Sequence, residues 1–137
     1  MTENVTTERE ERKLFVVLID VEKEETSMLT IDDDLDTFYK LLNCQTIDIA
    51  NREIGGKRFD IICDDEGTFK YPQKISAIND LGMPMLVGNL IICGEADKAG
   101  YCTSLSTDDA LHIMKYVQNM STINFPNGYP MLTQCEV

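Results

Sequence analysis

Three short apolar runs rich in Val and Ile establish the fold class. Lys13–Val21 reads KLFVVLIDV, Arg58–Cys63 reads RFDIIC, and Met85–Cys93 reads MLVGNLIIC. Runs this short, rich in β-branched residues and closed by turn residues, are strands rather than helices. Met85–Cys93 is the most apolar and reads as a central strand. Gln45–Ala50 (QTIDIA) alternates apolar and polar side chains, as a half-buried strand does. After the charged turn Glu22–Thr26, Ser27–Ile31 reads as the returning strand of a hairpin, and Gly55-Gly56 is a second hairpin signal. Tyr101–Leu105 reads as a further short strand, and residues 72–84, with two Pro and one Gly, as irregular.

Two segments carry helical periodicity instead. Leu35, Phe38, Tyr39, Leu41 and Leu42 form one stripe, with Asp32 or Asp33 as the cap and Asn43 as the stop. Ser106 caps the second helix, with Asp109 at the capping-box position, and Leu111, Met114, Val117 and Gln118 mark one face. The sum is about six or seven short strands and two helices, an α+β domain with a mainly antiparallel sheet. The expected domain spans residues 13–119. Residues 1–12 read as a flexible acidic tail and residues 120–137, with two Pro and one Gly, as an extended C-terminal arm or tail. A chain of 137 residues is long enough to bury about two thirds of the surface its unfolded form exposes.

Charge narrows the function classes. The net charge is -12 and the isoelectric point about 4.3. Direct nucleic-acid binding needs clustered Lys and Arg and is not expected, nor is binding to an anionic membrane. No run is long enough to span a bilayer, and the polar start MTENVTTEREERK is not a signal peptide. Residues 1–36 hold twelve of the 24 acids and four of the 12 bases, and so carry -8 of the total. This is either a solubility device or an acidic face, built around Asp32, Asp33, Asp34 and Asp36, that docks on a basic partner.

The motifs of chemistry are sparse. His112 is the single histidine, inside the second helix, and no nucleophile or orienting group is signalled beside it. Asp32–Asp36 lacks the Gly of a calcium loop. Asp64-Asp65-Glu66-Gly67 is better read as a turn than a cation site. Neither GxxxxGK[ST] nor GxGxxG occurs. Five cysteines without a CxxC pair read as reduced, mostly buried thiols. No catalytic residue, metal or cofactor is expected.

FDIICDDEGTFKYP (Phe59–Pro72), VGNLIICGEAD (Val87–Asp97) and YCTSLSTDDALHIMKY (Tyr101–Tyr116) resemble an uncharacterised family, the domain of unknown function numbered 3846. Its pattern usually has Asn-Arg after the Pro, where this chain has Gln73-Lys74. The resemblance covers about residues 13–118 and implies the fold and a setting in phages or mobile elements, hence a bacterial cytoplasm. It implies no reaction. The leading expectation is a non-enzymatic accessory protein that binds a basic or nucleic-acid-handling protein, as an acidic anti-defence inhibitor. The alternative is a nucleotide-like ligand binder using Lys70, Tyr71, Lys74, Lys98 and Tyr101. An enzyme comes last. Pairing of edge strands would give a homodimer.

Overall fold

The computed structural model describes residues 12–70 and 72–137. Ten strands and two helices are formed among them. In chain order they are β1 (Lys13–Asp20), β2 (Glu25–Asp32), α1 (Leu35–Leu42), β3 (Ile47–Ile54), β4 (Lys57–Asp64), β5 (Ile75–Ile78), β6 (Pro84–Val87), β7 (Leu90–Cys93), α2 (Thr107–Met114), β8 (Val117–Met120), β9 (Tyr129–Leu132) and β10 (Cys135–Glu136). A single 3-10 turn occupies Gly67–Phe69. The α+β class holds, and the strands divide into two sheets.

The larger sheet is antiparallel in the order β10-β3-β4-β7-β1-β2. Its centre explains the apolar runs. Leu14, Val16 and Leu18 of β1 join Ile62, Ile91 and Cys93 under α1, whose Phe38 and Leu42 close that side. The alternate residues Val17 and Ile19, with Val21 beyond the strand, join Phe59, Ile61, Leu90 and Ile92 on the other face. That face is covered by the second sheet, ordered β6-β5-β9-β8, and by Ala110 and Ile113 of α2. A strand buried on both faces cannot alternate apolar with polar residues, so it reads as a continuous run.

Several boundaries differ from the sequence reading. Met85–Cys93 is two strands, because Gly88 takes φ +77° and turns the chain from one sheet into the other. Residues 75–78, read as irregular, form β5. Tyr101–Leu105 makes one bridge, Gly94 to Thr103, and is otherwise held by Leu105 N donating to Phe15 O at 2.8 Å and Phe15 N donating to Ser104 Oγ at 2.9 Å. The second helix stops at Met114, because Val117 and Gln118 pair with Leu132 and Met131 of β9. The first helix is capped by Asp34 rather than Asp32 or Asp33, since Asp32 belongs to β2 and Asp33 N extends the ladder to Arg12 O at 3.0 Å.

Residues 120–137 are not a separate arm. Tyr129, Met131, Leu132 and Cys135 are buried, and the Tyr129 hydroxyl donates to Ile75 O at 2.7 Å. The Lys74 ammonium lies 4.8 Å from the Phe125 ring centre and 5.3 Å from that of Tyr129, and donates to Val21 O at 3.0 Å. Two prolines concealed these strands. Pro130 is tolerated because β9 meets β5 only at Leu132. Arg12, read as tail, is held in the fold by Asp33. The rest of that tail, residues 1–11, lies outside the described residues.

Asn89 locks the end of the larger sheet to α1. Its Oδ1 accepts from Val21 N at 2.9 Å and its Nδ2 donates to Leu41 O at 2.9 Å. Asn89→Ala leaves a buried amide without a partner and should lower unfolding free energy by about 1–3 kcal/mol in urea titrations. A chain ending at Met120 uncovers the core beneath β9 and β10 and should lose its cooperative transition. A sharp transition in that truncation would show that residues 13–120 fold alone.

Candidate functional site

The chain's acidic segment and an unprotected sheet edge fall in the same place. β2 pairs with β1 through eight consecutive positions, Lys13 with Asp32 through Asp20 with Glu25, without a shift. Glu24 at φ 57° and Lys23 N donating to Asp20 Oδ1 at 2.9 Å close the hairpin. Among the described residues no strand pairs with the outer edge of β2. Proteins usually blunt such an edge with Pro, Lys, a bulge or shortness. β2 (ETSMLTID) has none of these, and Met28 is 43% exposed in its middle.

Acids bracket this edge. Glu22, Glu24 and Glu25 are exposed at the hairpin end. Asp32, Asp33, Asp34 and Asp36 cluster at the other end, as the sequence suggested, but three of them have work inside the chain. Asp32 pairs with Lys13, and Asp33 Oδ2 pairs with Arg12 Nε at 3.0 Å. Asp34 Oδ1 accepts from Thr37 N at 2.8 Å and caps α1. That backbone bond, helped by the Thr37 side chain, lowers the Asp34 carboxyl pKa below its ordinary 3.8. Asp36 is exposed in the first turn of α1, where the helix dipole favours it. Surface pairs such as Lys13–Asp32 contribute at most about 1 kcal/mol, so their geometry matters more than their strength.

Of the residues of the alternative ligand site, Lys70 and Lys74 line one small cavity of about 70 Å³ with Asp64, Gln73 and Asn89, while Lys98 and Tyr101 lie apart from it. Lys70 Nζ pairs with Asp64 Oδ2 at 2.6 Å and donates to Asn43 O at 3.0 Å. It therefore holds the turn after β4 against the C-terminal end of α1. Lys74 is mostly buried against Phe125 and Tyr129. Lys98 and Tyr101 belong to the excursion after β7, at the opposite end of that strand from Asn89, and Tyr101 lies under Arg12 at 5.0 Å. Tyr71 lies outside the described residues. Lys70 also lines an open cleft of about 680 Å³ with Tyr39, Lys40, Asn43, Asp64 and Glu66. Sequence reasoning missed Tyr39 and Lys40 because only the stop at Asn43, which adopts φ 51°, hinted that this helix end meets the turn.

His112 Nε2 lies 2.8 Å from Ile54 O, and a carbonyl only accepts, so Nε2 carries the proton. Its ring packs against Phe59 and Tyr116. Asp109 N is capped by Ser106 Oγ at 3.0 Å, while the Asp109 carboxylate pairs with Lys57 across to the start of β4 rather than closing a capping box. Among the described residues no three His, Cys, Asp or Glu side chains are placed to hold a metal ion, and no helix is long and apolar enough to cross a membrane.

These features define a two-sheet α+β domain with one long, acid-flanked open edge. The family model described as Domain of unknown function (DUF3846) matches residues 13–120, and the chain belongs to that family. The match ends with β8, before β9 completes the second sheet and β10 pairs with β3 at the edge of the larger one. No curated protein and no solved structure matches the chain.

The Asp34 cap sets a pH signature. A lowered carboxyl pKa contributes stability that is full above the ordinary value and is lost as pH falls through the folded value. Helical circular dichroism should therefore decline as pH falls below about 4, and Asp34→Asn, which caps without titrating, should remove that part of the decline.

Proposed function

We propose that this protein is a non-enzymatic accessory protein of a phage or mobile element that captures a basic, nucleic-acid-handling protein in the bacterial cytoplasm, and that an extended segment of that partner adds to β2. The observation that carries this reading is the eight-residue open edge with acids at both ends. Backbone hydrogen bonds along an edge supply affinity, and the flanking charges set orientation and partner. The same charges disfavour self-pairing. In a centred antiparallel pair of two β2 strands, Glu25 of one copy faces Asp32 of the other, and like charges opposite each other destabilise a ladder. A strand with Lys or Arg at those positions meets the reverse.

A second reading has one observation behind it. The cleft beside α1 places Tyr39 with Lys40 and with Lys70, the latter paired with Asp64, in an otherwise acidic protein. That set suits a small phosphorylated ligand with a flat ring.

A peptide of about ten residues alternating Lys with Val separates the two. Its amide shift changes should centre on residues 25–32 and its affinity should fall at least about ten-fold from low to physiological salt. Glu25→Lys with Asp36→Lys should weaken binding by a similar factor, and Met28→Lys should block the edge without unfolding the domain. Shifts confined to Tyr39, Lys40 and Lys70, or a thermal midpoint raised by nucleotides and not by the peptide, would overturn the edge reading in favour of the cleft.

A further inference from the structure

Two of the five thiols, Cys93 and Cys102, lie at the acidic end of the larger sheet. Cys93 ends β7, fully buried under α1 in the cluster with Leu14, Phe38 and Ile91. Cys102 packs against the same cluster and is only partly covered. The bridge from Gly94 to Thr103, with Gly94 N donating to Thr103 O at 2.9 Å, brings the two chain segments together. In an antiparallel pair the residues that precede the two bridge partners point to the same face, so both sulfurs lie on one side of this short ladder. The Cys93 S–H donates to Asp60 O at 3.5 Å, and each thiol is the strongest influence on the titration of the other.

We infer that Cys93 and Cys102 form a hydroperoxide-responsive dithiol, in which Cys102 is oxidised first and Cys93 resolves it to an intramolecular disulfide. The asymmetry of the pair assigns the roles. Cys102 is reachable from solvent, and its interaction with Cys93 is the principal influence on its pKa, lowering it from 9.0. Cys93 is buried, and its interaction with Cys102 together with its burial raises its own pKa. The Cys102 backbone is fixed, since its carbonyl accepts from Arg12 Nη2 at 2.7 Å and Arg12 is itself held by Asp33. The other partly covered thiol, Cys44, has its pKa raised by burial and then by Asp64, and has no cysteine among its influences. The thiolate is the reactive form, so Cys102 is the favoured target.

The chemistry balances with one peroxide. The Cys102 thiolate attacks a peroxide oxygen, the O–O bond breaks, hydroxide leaves and a sulfenic acid forms. The Cys93 sulfur then attacks the Cys102 sulfur, the S–O bond breaks, and the departing oxygen takes up protons as water. Two thiols and one hydrogen peroxide become one disulfide and two waters. The bond would staple the excursion that carries Lys98 and Tyr101 to the end of β7.

The test uses the full chain, reduced and then exposed to one equivalent of hydrogen peroxide. Trypsin cuts after Lys74, Lys98 and Lys115, so Cys93 and Cys102 fall in separate peptides, each with a single cysteine. Non-reducing mass spectrometry should find peptide 75–98 linked to peptide 99–115, with the intact monomer lighter by two hydrogens. Cys102→Ser should abolish the link. Cys93→Ser should leave Cys102 as a sulfenic acid that a 1,3-dicarbonyl probe traps. Before oxidation, iodoacetamide should label Cys102 at least about ten-fold faster than Cys44 in the wild type, a comparison that needs no variant to fold. Five thiols still free after peroxide, a disulfide between two chains, or first oxidation at Cys44 would each overturn the proposal.

Discussion

Strands β1, β4 and β7 bury side chains on both faces, and the placement of the other elements follows from that requirement. A one-sided sheet of this width would need only α1. Here Phe59, Ile61, Leu90 and Ile92 face away from α1, so a second layer must cover them. The four short strands of the second sheet and α2 supply it. None of those four exceeds four residues, so they are held more by the apolar face beneath them than by their own ladders. This is why residues 129–135 belong to the core although Pro126 precedes them and Pro130 lies among them. Asn89 and Lys74 do the polar part of the same task, tying loop carbonyls and amides to the sheet at the end where the layers would otherwise separate.

Covering the centre leaves the margin exposed, and the two margins are treated differently. β3 is partly sealed by Cys135 and Glu136 of β10. Among the described residues, β2 has no such cover. Its protection against self-association is electrostatic, through Glu25 and Asp32 at opposite ends. Such protection is selective, since it repels a copy of the same strand and attracts a basic one. The local acids are also partly neutralised: Lys13 and Arg12 sit against Asp32 and Asp33, while Asp34 serves α1. Glu24 lies 3.9 Å from the Lys74 ammonium, so Glu22, Glu25 and Asp36 carry most of the exposed negative charge at this edge.

The end of β7 concentrates several devices in few residues. Arg12 joins Asp33, the Cys102 carbonyl and the Tyr101 ring, so the acidic cluster, the excursion after β7 and the Cys93–Cys102 pair share one support. A covalent change at the thiols acts on a segment already coupled to the acidic end of β2. The cleft beside α1 lies at the other end of β7 and is independent of this group.

Local rules carried much of the fold. The apolar runs, the Gly55-Gly56 turn, the stop at Asn43 and the Ser106 cap depend on neighbours within a few positions, and each was legible in the chain alone. So was the clustering of Asp32, Asp33, Asp34 and Asp36, because it is a fact of sequence. Which of those carboxylates is occupied was not, since Arg12 and Lys13 lie about twenty positions away and meet them only when the hairpin closes. The break at Gly88 and the burial of Tyr129, Met131 and Cys135 were hidden for a related reason: a short apolar patch around a proline becomes a strand only if a distant face needs covering. The thiol pair was also invisible, because Cys93 and Cys102 are brought together by the single Gly94–Thr103 bridge and not by a motif. Sequence by itself determined the class, the acidity and most of the turns, through short-range chemistry. The tertiary structure alone decided which edge stays open, which acids remain available and which cysteines meet, because each depends on contacts between residues far apart in the chain.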